Sequence, residues 1–148
     1  METQEIKKQR NMVIQEALSW RGTPYHLNAA IKGIGVDCGT FLTSVFAHAG
    51  LIEPVDLGSF KPDFHLHRSE QVYQRWLMKY CKRAVDMESC KPGDIVLYQF
   101  GRISSHGALV TDPGRIIHAY SGIGVIESGW QEGHLDGRIT GFYSFWED

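Results

Sequence analysis

Cys38 stands directly behind Asp37 and opens a segment in which Phe41, Leu42, Val45, Phe46 and Ala49 recur at helical spacing. A thiol at that place has a chemical use. Free N–H groups and the helix dipole favour an anion at a helix N-terminus, so a cysteine there ionises below its free value of about 8.5. A thiolate divides amide hydrolysis into acylation and deacylation, provided that a base stands beside it and a third group holds the base. Histidines suited to both tasks occur in the second half of the chain. His106 begins His106-Gly107-Ala108-Leu109-Val110, and His118 lies within Ile116-Ile117-His118-Ala119-Tyr120. Asp112-Pro113-Gly114 between them signals a tight turn. If the two segments pair as a hairpin, the imidazoles can lie side by side, with His106 as base and His118 as its orienting partner. Set against this, a lone cysteine at a helix start is more often structural, and a lone strand histidine is more often a satisfied, half-buried residue. The chain has seven histidines, so these residues alone weigh a catalytic pair and a coincidence about equally.

The elements that would position these groups are legible in outline. Ile6, Val13, Ala17 and Trp20 form one stripe of a first helix, with Arg10 completing the period and Met12, Ile14 and Leu18 widening it. Gly22 and Pro24 stop it. A loop follows from Thr23 to Val36, and its glycines allow close backbone approach to a substrate. Asp37 is the expected N-cap of the second helix, and Gly50 suits its C-terminal positive-φ position. Glu53–Arg68 reads as a loop. Ser69 offers a cap for a third helix carrying Val72, Tyr73, Trp76, Leu77 and Tyr80. After Pro92-Gly93 the pattern changes to short strands: Asp94–Phe100, Gly107–Thr111, Arg115–Tyr120, Val125–Glu127 and Ile139–Phe145. Helices first and an antiparallel sheet second is an α+β layout, and no repeat or linker divides residues 1–148, so one domain is expected.

Composition excludes several classes. A net charge of -2, from 15 Lys+Arg against 17 Asp+Glu, and the lack of a basic run give no footing for nucleic acid. No stretch is apolar enough for membrane insertion, and METQEIKKQRNMVIQEALSW is too charged for a signal peptide. The expectation is synthesis in the cytoplasm without an export signal, another component carrying the protein wherever it acts outside a cell. Three cysteines without a signal argue against a disulfide framework, and Cys81 and Cys90 read as buried or half-buried thiols. His65 and His67 alternate in Asp63–Arg68, but no matching donor set stands at metal-ligand spacing. No metal and no cofactor is expected.

Four stretches, in order, resemble the NlpC/P60 family of papain-like cysteine peptidases: Gly22-Thr23-Pro24-Tyr25, Gly35-Val36-Asp37-Cys38, Lys91-Pro92-Gly93-Asp94-Ile95-Val96, and the two histidine strands Ser105–Val110 and Ile116–Ala119. The resemblance implies the family's fold, with N-terminal helices on a C-terminal antiparallel β-sheet, and a Cys38-His106-His118 triad. It also implies cleavage of peptidoglycan stem peptides, typically between γ-D-glutamate and a diamino acid. Tyr25, Asp37, Gly39 and Ser105 complete the expected substrate-binding set. Tyr25 is equally readable as a core aromatic, and Asp37 as a cap or as a binder of a substrate ammonium group. Many relatives follow the cysteine with Ser-Gly; Gly39-Thr40 stands here, which puts the bond cleaved in doubt. The Gly22–Tyr25 stretch, the Lys32–Gly35 loop and Asp63–His67 resemble the phage and gene-transfer-agent branch. That branch implies phage tail proteins as partners and a place in the virion. Two rivals remain at this point: a papain-like amidase or acyltransferase, and a non-catalytic phage tail structural protein.

Overall fold

The computed structural model describes residues 2–54, 69–102 and 104–148. The expected loop up to Arg68, with His65 and His67, lies almost wholly outside the described residues. Over the described residues the architecture is α+β, with three α-helices leading into a six-stranded antiparallel sheet.

Helix α1 spans Gln4–Leu18, and Thr3 caps it by accepting from the Ile6 N–H. Its expected stripe is buried at Val13 and Ala17, with Trp20 just past its end, whereas Met12 stays exposed. Helix α2 spans Cys38–His48. Asp37 and Thr40 form a reciprocal capping box: the Asp37 carboxylate accepts from the Thr40 N–H at 2.8 Å, and the Thr40 hydroxyl accepts from the Asp37 N–H at 2.9 Å. At its other end the Leu51 N–H bonds the Phe46 carbonyl and the Gly50 N–H bonds that of Ala47, with Gly50 at φ 80°. That is a Schellman turn, which needs the positive φ. Phe41, Leu42, Val45 and Phe46 are fully buried, each contributing about 1.5–3 kcal/mol by leaving water. Helix α3 spans Ser69–Met78, so Ser69 is its first residue rather than a residue ahead of it.

The Thr23–Val36 segment holds two short paired strands, β1 (Ala30–Ile31) and β2 (Gly35–Val36). The main sheet contains β3 (Arg83–Val85), β4 (Ile95–Phe100), β5 (Ser104–Asp112), β6 (Arg115–Tyr120), β7 (Gly124–Gly129) and β8 (Ile139–Ser144). Its order is β3-β8-β4-β5-β6-β7. Five of these match expected strands within a few residues; β3 was not expected. Alternation along the strands gives two apolar faces. Ile95, Leu109, Ile117, Ala119 and Val125 pack with the helices. Val96, Tyr98, Ala108, Val110, Ile116 and Phe142 form a second cluster, completed by Leu135.

Arg10, which the sequence pattern counts only as a filler of the helical period, is 4% exposed. Its guanidinium meets Asp94 at 2.9 Å, Asp148 at 2.8 Å and the Pro92 carbonyl at 3.0 Å. Arg83 and Lys91 also reach Asp148. Burial alone would raise the Asp148 carboxyl, but these cations hold it well below the usual carboxylate range. The network clamps α1 to the sheet at the Pro92-Gly93-Asp94 turn. Arg10→Met leaves buried carboxylates undercompensated and is expected to cost about 3–5 kcal/mol of stability. The urea midpoint measures it; a loss below about 1 kcal/mol would mean that the clamp is dispensable.

Candidate active site

A run of backbone hydrogen bonds ties the start of α2 to the end of the sheet that carries the histidines. At the start of β7 the Val125 N–H donates to the Thr23 carbonyl and the Val125 carbonyl accepts from the Gly22 N–H; Pro24 accepts from Val36, and His26 donates to Val36. Val36 lies two residues before Cys38, and Val125 pairs with Ala119, the neighbour of His118. The backbones run so close that a Cβ on Gly124 would sit 2.4 Å from the Thr23 carbonyl oxygen. Further along α2, Leu42 lies one helical turn beyond Cys38. Its Cδ1 is 2.8 Å from where a Cβ on Gly107 would stand, so α2 rests directly on the strand of His106.

A single extra residue sets the facing of the histidines. Asp112 pairs with Arg115 across the turn, yet the next pairs inward are Val110 with Ile116 and Leu109 with Ile117. Thr111 is therefore a bulge, two residues on β5 opposing one on β6. Side chains alternate with period two, so a one-residue change of register exchanges the faces. With the bulge, His106 and His118 share a face; in the uninterrupted register they would point to opposite ones.

On that shared face His106 Nε2 lies 2.7 Å from His118 Nδ1, with the rings at 68°. His118 Nε2 lies 3.2 Å from Ser128 Oγ, which lies 3.2 Å from the Gly129 carbonyl oxygen. The network fixes the tautomers. A carbonyl only accepts, so the Ser128 hydroxyl proton goes to Gly129, and Ser128 accepts from His118 Nε2–H. His118 Nδ1 then carries the lone pair and accepts from His106 Nε2–H. His106 is left with a lone pair on Nδ1, the form a general base requires. The rings of Tyr98, Phe100 and Tyr120 surround His106 at centroid distances of 5.9, 6.2 and 5.7 Å. Burial, and secondarily the neighbouring His118, push His106 down to about 3, and burial pushes His118 down to about 4. Both rings are neutral near pH 7, and only a nearby anion would hold a proton on them.

The other sequence candidates are placed as follows. Cys38 is 1% exposed at the first position of α2. Asp37 is fully buried: one carboxylate oxygen serves Thr40 and the other accepts from the Asn28 N–H at 2.7 Å. Its geometry is that of a cap that fixes the loop before the cysteine. Gly39 is buried in the first turn, and its carbonyl accepts from the Thr43 hydroxyl. Ser105 accepts from the Gln74 carboxamide of α3 at 2.9 Å, on the strand face opposite His106. Tyr25 is half-buried against the helix-side core and bridges Val36 through its backbone. Burial pushes Cys81 up to about 12 and Cys90 up to about 11, helped by the Asp94 charge; both are ordinary protonated thiols. Among the described residues no group of His, Cys, Asp and Glu could hold a metal ion, and no helix is long and apolar enough to cross a membrane. Ser128 was absent from the sequence reading. Its only signal is register: two residues past Ile126, the partner of His118, it falls on the histidine face of β7.

Residues 22–143 match the NlpC/P60 family. The chain belongs to the NlpC/P60 family. It is 23% identical over 131 residues to the Escherichia coli K12 protein named Murein DD-endopeptidase MepS/Murein LD-carboxypeptidase, an alignment covering 88% of this chain. The chain spans 60% of the length of that curated relative. Among solved structures, an NLP/P60 family protein similar to lipoprotein from Staphylococcus aureus superposes with a TM-score of 0.68 at 19% identity, covering 95% of this chain and 42% of that one. The NlpC/p60 domain of the peptidoglycan hydrolase SagA gives 0.63 at 21% identity, covering 91% and 97%. At these identities the likeness establishes the NlpC/P60 fold.

Two outcomes follow from the geometry. Deleting Thr111 removes the one unpaired residue and leaves Val110 opposite Ile116 and Asp112 opposite Arg115, so the two histidines keep their common face. The His106–His118 hydrogen bond should persist, visible as coupled imidazole resonances in NMR, while circular dichroism keeps the sheet; loss of the bond in a folded variant would mean that register alone does not align the rings. The neutral histidines give a second test. Unfolded, they bind protons below about pH 6.5; folded, they do so only near 3 to 4. The unfolded state therefore holds more protons in that window, and stability falls as pH drops from about 6.5 toward 4, by up to about 1.4 kcal/mol per pH unit for each histidine. Urea denaturation at each pH across that window measures it. A flat profile would show that the rings are not held neutral.

Proposed function

We propose that this chain is a cysteine peptidase that hydrolyses peptidoglycan stem peptides through Cys38, His106 and His118. The observation that carries the reading is the buried His106–His118 hydrogen bond, whose tautomers leave His106 Nδ1 as an acceptor. Support comes from the placement of Cys38 at a capped helix N-terminus, and from relatives named as a murein endopeptidase and a peptidoglycan hydrolase.

In this mechanism His106 Nδ1 takes the thiol proton, and the imidazolium and thiolate stabilise each other. That mutual stabilisation offsets the burial that otherwise keeps His106 neutral. The thiolate bonds to the scissile carbonyl carbon. The Cys38 backbone N–H, at the positive end of α2, and Tyr25 stabilise the oxyanion. The C–N bond breaks as His106 returns its proton to the leaving amine. Water then attacks the thioester, giving its proton to His106, and the thiol is regenerated. His118 holds the ring angle and tautomer of His106, and Ser128 does the same for His118. The bond we assign is that from γ-D-glutamate to a diamino acid. Carriage on a phage tail is part of the same proposal and rests on the resemblance of the Gly22–Tyr25, Lys32–Gly35 and Asp63–His67 stretches to that branch.

Purified muropeptides test the chemistry. Cys38→Ala should fold and show no turnover. His106→Ala should lower kcat about 100- to 10,000-fold, and His118→Asn by a smaller factor. Full activity in Cys38→Ala would end the proposal, and a larger loss in His118→Asn than in His106→Ala would reverse the two histidine roles.

A further inference from the structure

Arg138 lies on the histidine face of the sheet and ends on no carboxylate among the described residues. In this it differs from Arg10, Arg21 and Arg83, which pair with Asp94, Glu127 and Asp148. It is nonetheless held in place. Its carbonyl accepts from the Gln99 N–H at 2.9 Å, which fixes its backbone beside the end of β4. Its Nε donates to the His134 carbonyl at 2.8 Å, and its Cζ lies 4.7 Å over the Phe100 ring. Phe100 in turn stands edge-to-face against His106, centroids 6.2 Å apart at 88°. One aromatic ring therefore separates an exposed guanidinium from the base. The stack and the Nε bond set the plane of the fork, while its terminal N–H groups have no carboxylate to serve. A planar fork so oriented suits a bidentate carboxylate.

We infer that Arg138 is a substrate-binding residue for a carboxylate carried next to the scissile amide. The inference rests on the proposed cleavage by Cys38 and His106. The reading of the bond supplies the ligand chemistry. A glutamate linked through its γ-carboxyl keeps its α-carboxylate free, and a diamino acid that carries a second carboxyl or ends the peptide also presents a free carboxylate. An ordinary α-linked peptide of neutral residues has no such group at its interior bonds. The stacked guanidinium thus gives the site a preference for branched-acid stem peptides over common protein sequences.

The test uses three stem peptides: one with all carboxylates free, one with the glutamyl α-carboxylate converted to carboxamide, and one with the diamino acid carboxylate so converted. Binding is measured by calorimetry in Cys38→Ala and turnover in the intact protein, each with and without Arg138→Gln and Arg138→Lys. In the Cys38→Ala background, Arg138→Gln should weaken binding of the all-carboxylate peptide about tenfold or more. It should leave one of the carboxamide peptides unchanged, and that peptide identifies the carboxylate contacted. In the intact protein the loss should fall on KM with kcat largely kept, and Arg138→Lys should restore part of it. Equal weakening of all three peptides by Arg138→Gln, or no weakening of any, overturns the inference. Carboxylate-dependent binding without cleavage upholds Arg138 and strikes the proposed reaction instead.

Discussion

A hairpin closed at Pro113-Gly114 with Asp112 opposite Arg115 would, if it ran on unbroken, set its two histidines on opposite sides of the sheet. Thr111 interrupts it, and the site depends on that interruption. The extra residue brings His106 and His118 onto one face. Once there, two neutral rings in contact bond only if one donates and the other accepts. Ser128 and the Gly129 carbonyl decide which. A backbone irregularity of one residue thereby becomes a defined protonation pattern several residues away, and that pattern leaves His106 able to take a proton on the ring nitrogen not used by His118.

The helices meet the same strand from its other face. Leu42 of α2 and the Gln74 carboxamide of α3 close over Gly107 so tightly that a Cβ would lie 2.8 and 3.0 Å from them. The residue beside His106 is glycine because α2 could not otherwise settle on β5. The cost is a buried Gln74 Oε1 without a hydrogen-bond partner among the described residues. The bonds through Thr23, Pro24 and Val36 then hold the head of α2 at the histidine end of the sheet.

What was legible in the sequence is what local rules govern. Asp37 as cap, Gly50 at the end of α2 and the Asp112–Gly114 turn each declare themselves within a few residues, and the structure places all three as expected. The sheet strands carry enough β-branched and aromatic residues to be located to within a few positions. The three-residue strand β3 is too short to show a period, and β1 and β2 are shorter still. Arg10, Ser128 and Gln74 escaped for a different reason. Their partners lie far off in sequence or depend on register, and no spacing within one segment reports on that. The hairpin expectation for His106 and His118 arrived at a correct juxtaposition without the bulge that produces it, because strand pairing was foreseen and its register was not.

Glu2 and Asp148 both contact the Arg10 guanidinium, at 3.2 and 2.8 Å. One buried cation therefore joins the residues ahead of α1 to the segment that follows β8. Neutralising that one side chain would loosen both segments and the turn before β4 together, so three parts of the chain far apart in sequence share a single point of failure.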